Sequence, residues 1–277
     1  MVEQYNSSKD KITKLFDDRS STFDKSTGRA MKMLTRILLR EINILKNPVC
    51  LDIGSGTGIS TFELSRKIQN KGTIIGIDIS PSMIEVAKRN ASQQGFKDIE
   101  FRVGDAEQLD FTDSMFDLVI CNMTLHYIPD KMRSLREMHR VLKPGGQVAL
   151  HFNGGPCFQE IISVGSAVAS RHPEYPMFQD AIHEFRDSFL GFDDAITLIE
   201  SAGFGDHRTF GRQVRVFVDP ENVLNVGESW DLWKSGLPLD VRDAFRVELV
   251  DAFTADSEER GFKFTYFTVV SVGIKSE

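Results

Sequence analysis

The stretch Val49-Cys50-Leu51-Asp52-Ile53-Gly54-Ser55-Gly56-Thr57-Gly58 constrains this chain more than any other. An apolar run ends beside an acid, glycines follow at alternate positions, and Ile59-Ser60-Thr61-Phe62-Glu63-Leu64 then takes up a helical pattern. Buried strand, glycine turn and helix, in that order, build the ligand crevice of an open α/β sheet. Glycine permits the sharp reversal and lets a ligand reach the backbone with no Cβ in the way. What the turn lacks narrows the ligand. A dinucleotide fingerprint, Gly-x-Gly-x-x-Gly, would need glycine at Ile59, and a phosphate loop would end in Gly-Lys-Ser/Thr. Asp52 at the mouth of the turn would oppose a pyrophosphate and suits a cation. On this segment alone, a tight turn that holds no ligand remains the alternative.

The rest of the chain continues the alternation. Strands are expected at 73–78, 99–103, 116–121 and 147–152, with helices at 58–70, 81–94 and 131–142 between them. Ser80 is placed to cap the second of these helices, Pro81 to start it and Gly95 to close it. Alternating strands and helices of this kind make a doubly wound sheet. Ahead of the first strand, 27–45 reads as an amphipathic helix with Met31, Leu34, Leu38 and Ile42 in its stripe. Ile12, Leu15 and Phe16 share an earlier helical face. After Phe152 the pattern loosens into helices near 157–170, 179–185 and 192–202, strands at 207–218 and 262–274, and a mostly helical stretch between those strands. The expected division is a helical cap over 1–45, a core over 46–218 and 261–277, and a helical insert over 219–260.

Asp78 ends the second strand, where a carboxylate accepts hydrogen bonds from adjacent ribose hydroxyls; capping the next helix is the alternative. S-adenosylmethionine carries the sulfonium and ammonium that would suit Asp52. The segment 49–58 resembles the first motif of class I S-adenosylmethionine-dependent methyltransferases. The resemblance continues through Val103-Gly104-Asp105-Ala106-Glu107-Gln108-Leu109 and Phe116-Asp117-Leu118-Val119-Ile120-Cys121-Asn122, and covers roughly 49–152. It implies an α/β fold: a Rossmann-like, doubly wound seven-stranded sheet with an antiparallel last strand, N-terminal helices and a helical lid insert on the acceptor side. It implies S-adenosylmethionine as cofactor and S-adenosylhomocysteine as product. Asp52, Gly54, Ser55, Gly56 and Gly58 would hold the methionine end, Asp78 the ribose, and Ile79 and Met83 the two faces of the adenine. Asp105 would accept from the adenine amino group, the Ala106 amide would meet the ring, and Asn122 would face the crevice. In the family, N-terminal helices often fold over the cofactor, which makes 16–23 a candidate lid. Amide-directed members carry Asn-Pro-Pro-Tyr after the fourth strand. Here Asn122-Met123-Thr124-Leu125-His126 stands instead, which argues against a nucleobase or glutamine amide as acceptor. Leu125-His126-Tyr127-Ile128 resembles the small-molecule, type 11-like members, including those of quinone biosynthesis and of carrier-bound acyl chains.

Methyl transfer from a sulfonium requires alignment and exclusion of water, and no metal. A neutral hydroxyl or an acidic C–H would benefit from a base, and His126 is the candidate because imidazole titrates near neutrality. The alternative is a histidine bonded to backbone behind the cofactor. Phe152, Tyr175 and Trp230 are candidates to line an apolar acceptor pocket, or equally to form the core of the later segment. The competing function is a non-catalytic methyltransferase-like module that binds cofactor or serves as a scaffold. A nicotinamide oxidoreductase is disfavoured by the missing third glycine.

A net charge of −7 and a pI near 5.5 argue against a broad grip on nucleic acid or anionic lipid. No apolar run is long enough to span a membrane, and the N-terminus shows no secretory pattern. Cys50, Cys121 and Cys157 have no metal-type spacing. These features lead us to expect a cytoplasmic protein with a small-molecule acceptor, no nucleic-acid or membrane partner and no metal. Oligomeric state is left open.

Overall fold

The computed structural model describes residues 2–276. Helices α1 (Val2–Arg19) and α2 (Phe23–Leu39) precede β1 (Val49–Ile53), α3 (Ile59–Lys67), β2 (Thr73–Asp78), α4 (Pro81–Gln94), β3 (Ile99–Val103) and β4 (Phe116–Asn122). Next come α5 (Lys131–Val141), β5 (Leu142–Asn153), α6 (Gln159–Ala169), α7 (Pro176–Asp187), α8 (Phe192–Ser201) and β6 (Phe204–Val218). The chain ends with α9 (Ser229–Trp233), α10 (Arg242–Ala255) and β7 (Phe262–Lys275). One seven-stranded sheet has the order β3-β2-β1-β4-β5-β7-β6, with the last strand antiparallel, as the resemblance implied. The β3-β2-β1-β4-β5 run pairs in parallel throughout. The chain divides into two compact units, one of residues up to 152, 193–210 and 269 onward, the other of 153–192 and 211–268.

In the first unit the parallel strands are nearly continuous apolar runs, because helices cover both of their faces. On one face, Leu38, Leu39, Ile42, Leu64 of α3 and Ile68 at its C-cap pack against Cys50, Ile74, Leu118, Ile120 and Ala149. Elsewhere in the unit Phe62, Ile84, Ala87, Ala91 and Phe101 form a smaller cluster. Helix α2 begins at Phe23, ahead of the expected Thr27. The Thr27 hydroxyl donates to the Phe23 carbonyl (2.8 Å), so it sits inside the helix and does not cap it. Helix α4 follows its signals closely: the Ser80 hydroxyl accepts from the Met83 amide, Pro81 opens the first turn, and Gly95 caps the end in a left-handed conformation. Strand β5 starts at Leu142, five residues before the expected start at 147, and so takes in Pro144, Gly145 and Gly146. Its pairing with β4 shifts register between Phe116 and Leu118, which accommodates the glycines as a bulge.

The second unit has its own core. Phe245, Leu249 and Phe253 on α10 recur at a spacing of four and form one buried stripe. They meet Phe178, Ile182 and Phe185 of α7, together with Trp233, Phe262 and Phe264. The Glu160 carboxylate accepts from the Thr265 amide (2.8 Å) and hydroxyl (2.7 Å), tying α6 to β7. The expected insert 219–260 falls within this unit, which also takes in 153–192 and the adjoining ends of β6 and β7.

Candidate active site

At the carboxyl end of β1 the Ile77 carbonyl accepts from both the Gly54 amide (2.8 Å) and the Ser55 amide (2.9 Å), which folds the turn against β2. Gly54 has φ +70°, and a Cβ there would stand 2.2 Å from the Thr124 side chain, so both backbone and space demand glycine. Gly56 has φ +52°, and an added Cβ would meet nothing within 4 Å: the backbone there faces open space, as a cradle must. The Asp78 carboxylate is pinned at both oxygens, accepting from the Gly56 amide (2.9 Å) and the Ser80 amide (2.9 Å). Burial pushes the Asp78 pKa up, against the pull of those amides, and neighbouring Asp17 adds to the rise. Each carboxylate oxygen keeps a second lone pair for a ligand hydroxyl.

Asp52 is fully buried. Side chains alternate along a strand, so Asp52 shares the face of Cys50, which α2 and α3 cover. Its Oδ2 accepts from the Thr61 hydroxyl of α3 (2.6 Å), and its Oδ1 has no hydrogen-bond partner among the described residues. Burial raises its pKa to about 7; the Thr61 hydrogen bond opposes the rise and Asp78 adds to it. The same alternation corrects the expectation for Asn122. It lies on the face of Leu118 and Ile120, so its side chain points beneath the helices. Asn122 donates to the hydroxyls of Thr35 (3.0 Å) and Ser60 (2.9 Å), and its Oδ1 meets His151 Nδ1 at 3.1 Å. With both ends occupied, its side chain braces the floor of the crevice and is not free to hold the cofactor.

At the end of β3, Asp105 Oδ1 accepts from the Glu107 amide (2.9 Å), which fixes the orientation of the carboxylate. Ile79 and Ala106 are half-buried at the ends of β2 and β3. Met83 is 1% exposed, so it belongs to the interior of α4. Its amide, bonded to Ser80 Oγ (3.0 Å), serves the cap.

Several residues with no sequence signal meet here. Asp17 of α1 accepts from the Ser80 hydroxyl (2.5 Å) and the Ser82 amide (3.1 Å), which places a carboxylate at the positive end of the α4 dipole. Burial opposes ionisation of Asp17, but those donors outweigh it and hold its pKa below the usual value. Phe16 packs edge-on against Tyr127, with ring centroids 5.1 Å apart. Lys9 lies 2.7 Å from both Asp105 Oδ2 and Glu107 Oε2. Helix α1 therefore touches the carboxyl ends of β2, β3 and β4. Its contacts are long-range, and no local periodicity encodes them. Asp24 of α2 adds bonds from the Thr57 hydroxyl (2.5 Å) and the Asn90 amide (2.9 Å).

His126 lies in a single 3-10 turn after β4 and is 4% exposed. Burial pushes its pKa down to about 3, with Lys131 and His151 contributing in the same direction. It is neutral across pH 6 to 8, so the near-neutral titration that suggested a base is not available to it. Of the acceptor candidates, Phe152 is buried in the first unit. Trp230 belongs to the core of the second, and half-buried Tyr175 packs on that core through Phe245 (centroids 5.4 Å).

The cradle at Gly56, the buried atoms Asp52 Oδ1 and Ser55 Oγ with no hydrogen-bond partner among the described residues, and carboxylates at three successive strand ends fit a nucleoside that carries a positively charged tail. A doubly wound sheet with such a crevice defines a nucleoside-cofactor α/β protein. A family described as a methyltransferase domain matches residues 44–162. A demethylmenaquinone methyltransferase of Staphylococcus epidermidis is 30% identical over 214 residues, spanning 72% of this chain and 86% of its own. The aklanonic acid methyltransferase DauC of a Streptomyces species is 29% identical over 210 residues, spanning 73% of this chain and 94% of its own. Among solved structures, Haemonchus contortus phosphoethanolamine N-methyltransferase 2, in complex with phosphomonomethylethanolamine and S-adenosylhomocysteine, has a TM-score of 0.60 at 17% identity. That match covers 94% of this chain and 58% of the other. The chain belongs to the class I S-adenosylmethionine-dependent methyltransferases. It is an enzyme that uses S-adenosylmethionine to methylate small molecules.

Proposed function

We propose that the methyl donor lies across Gly54, Ser55, Gly56 and Gly58. Asp78 takes its ribose hydroxyls, Asp105 its adenine amine and Asp52 the charge of its methionine end. Ile79 and the Ala106 amide flank the base. The observation that carries this reading is the Asp78 carboxylate, held by the Gly56 and Ser80 amides at the tip of β2 beside the open backbone of Gly56. Once the donor is bound, its sulfonium supplies the leaving group. The protein's work is to align the acceptor in line with the methyl and to exclude water. We assign the acceptor to small apolar compounds whose nucleophile ionises readily, such as enols, phenols or carboxylic acids. Two observations support that class: His126 is held neutral with a pKa of about 3, and the relatives are named for a quinone precursor and an acid.

Titration calorimetry with S-adenosylhomocysteine tests the site. Asp78→Ala is expected to bind at least about tenfold more weakly, through loss of charge-assisted hydrogen bonds, with little change in melting temperature. Unchanged affinity removes Asp78 from the site. Tritiated methyl transfer to naphthoquinols, aromatic carboxylic acids, amines and nucleosides tests the acceptor. Turnover confined to the last two groups sinks the acceptor assignment.

A further inference from the structure

We propose that Lys9 sets the cofactor affinity of this enzyme by contesting the Asp105 oxygen that the adenine amine requires. The inference rests on the reading that Asp105 receives that amine. Asp105 Oδ1 accepts from the Glu107 amide (2.9 Å) and Lys9 Nζ sits 2.7 Å from Oδ2, so each oxygen of the carboxylate already serves one donor. The same ammonium is 2.7 Å from Oε2 of Glu107, whose side chain is 1% exposed and whose Oε1 accepts from the Asp130 amide (2.9 Å). Lys9 is itself largely covered, at 20% side-chain exposure. Burial disfavours its charge, but the two carboxylates outweigh that and hold its pKa above the ordinary value.

A charged ammonium is a stronger partner for Oδ2 than a neutral aromatic amine, by roughly a factor of two in hydrogen-bond strength. The adenine amine therefore has to share Oδ2 with Lys9, and the ammonium, as the stronger donor, weakens what that oxygen offers the base. Helix α1 carries Lys9 to this position, and α1 is held here partly by polar contacts. Asp17 holds the α4 N-terminus and Phe16 rests on Tyr127 at the next strand end. The Asp17 hydrogen bonds exchange with water at small net cost. The latched helix thus subtracts from cofactor binding by the fraction of molecules in which it is closed.

The test is the association rate and affinity of S-adenosylhomocysteine, measured on the full chain. Lys9→Met is expected to bind about tenfold tighter and to associate faster, and Lys9→Arg to behave like the parent. If Lys9→Met folds poorly, Lys9→Gln and the parent at rising NaCl supply the same readout, with parent association accelerating as salt weakens the ion pair. Asp105→Ala in the Lys9→Met background separates the two ideas. If that second change leaves affinity untouched, Asp105 does not bind the base and the underlying reading fails. If it weakens binding while Lys9→Met alone matches the parent, or binds more weakly, the Lys9 proposal is overturned and the Asp105 reading stands.

Discussion

Asp52 and His126 carry opposite consequences of the same burial. For Asp52 the folded state holds the proton until about pH 7, while the unfolded chain releases it near 3.8. Between those values the folded state binds more protons, so stability falls as pH rises, by up to about 4 kcal/mol. Asp52→Asn is expected to lack this slope: its melting temperature relative to the parent climbs from pH 4 to 7 and then levels. A difference flat across that range refutes the shift. A bound cationic tail favours the carboxylate, so S-adenosylmethionine binding near pH 6.5 should release a proton. Calorimetry in buffers of different ionisation enthalpy detects it in the parent and not in Asp52→Asn. His126 is neutral throughout that range, so the methyl-transfer rate should show no inflection from it between pH 6 and 8. A step lost in His126→Gln would restore its role as a base.

Among the elements, α4 was the most legible, because Ser80, Pro81 and Gly95 act on their own neighbours and need nothing distant. Helix α1 was the least. Lys9 and Asp17 look like ordinary surface charges, and Phe16 like one position of an apolar stripe, until the fold brings three strand ends beneath them. Asp17→Ala is expected to loosen α1 and leave the Ser82 amide of the first α4 turn without its acceptor, at a cost of about 0.5–2 kcal/mol, seen as faster hydrogen exchange of α1 amides. Leu38→Ala on α2 removes a fully buried side chain from the sheet-facing cluster and is expected to cost about 2–5 kcal/mol globally. If both changes affect α1 exchange and global melting equally, α1 is not the locally attached helix described here.

On the scale of the molecule, the two units differ in what their sequences disclosed. In the first, helices alternate with parallel strands, and each crossover forces the next element into place. In the second, Phe158, Phe185, Trp233 and Phe245 fill a core, and the two residues there that suggested an acceptor pocket belong with it: Trp230 lies within that core and Tyr175 packs against it. Saturating S-adenosylhomocysteine at about 100 times its dissociation constant should stabilise the protein by about 2.7 kcal/mol. The added exchange protection should fall on the carboxyl ends of β1, β2 and β3; protection confined to the second unit would place the cofactor elsewhere.

The chain by itself determined the doubly wound sheet, the glycine cradle and the acids at strand tips, because each depends on short-range periodicity and on backbone conformations that few residues adopt. Only the tertiary structure decided which way Asn122 and Asp52 point, that His126 stays uncharged, and that a lysine from the first helix sits on Asp105. Those outcomes depend on which face of a strand is covered and on what distant segment covers it, and no local pattern records either.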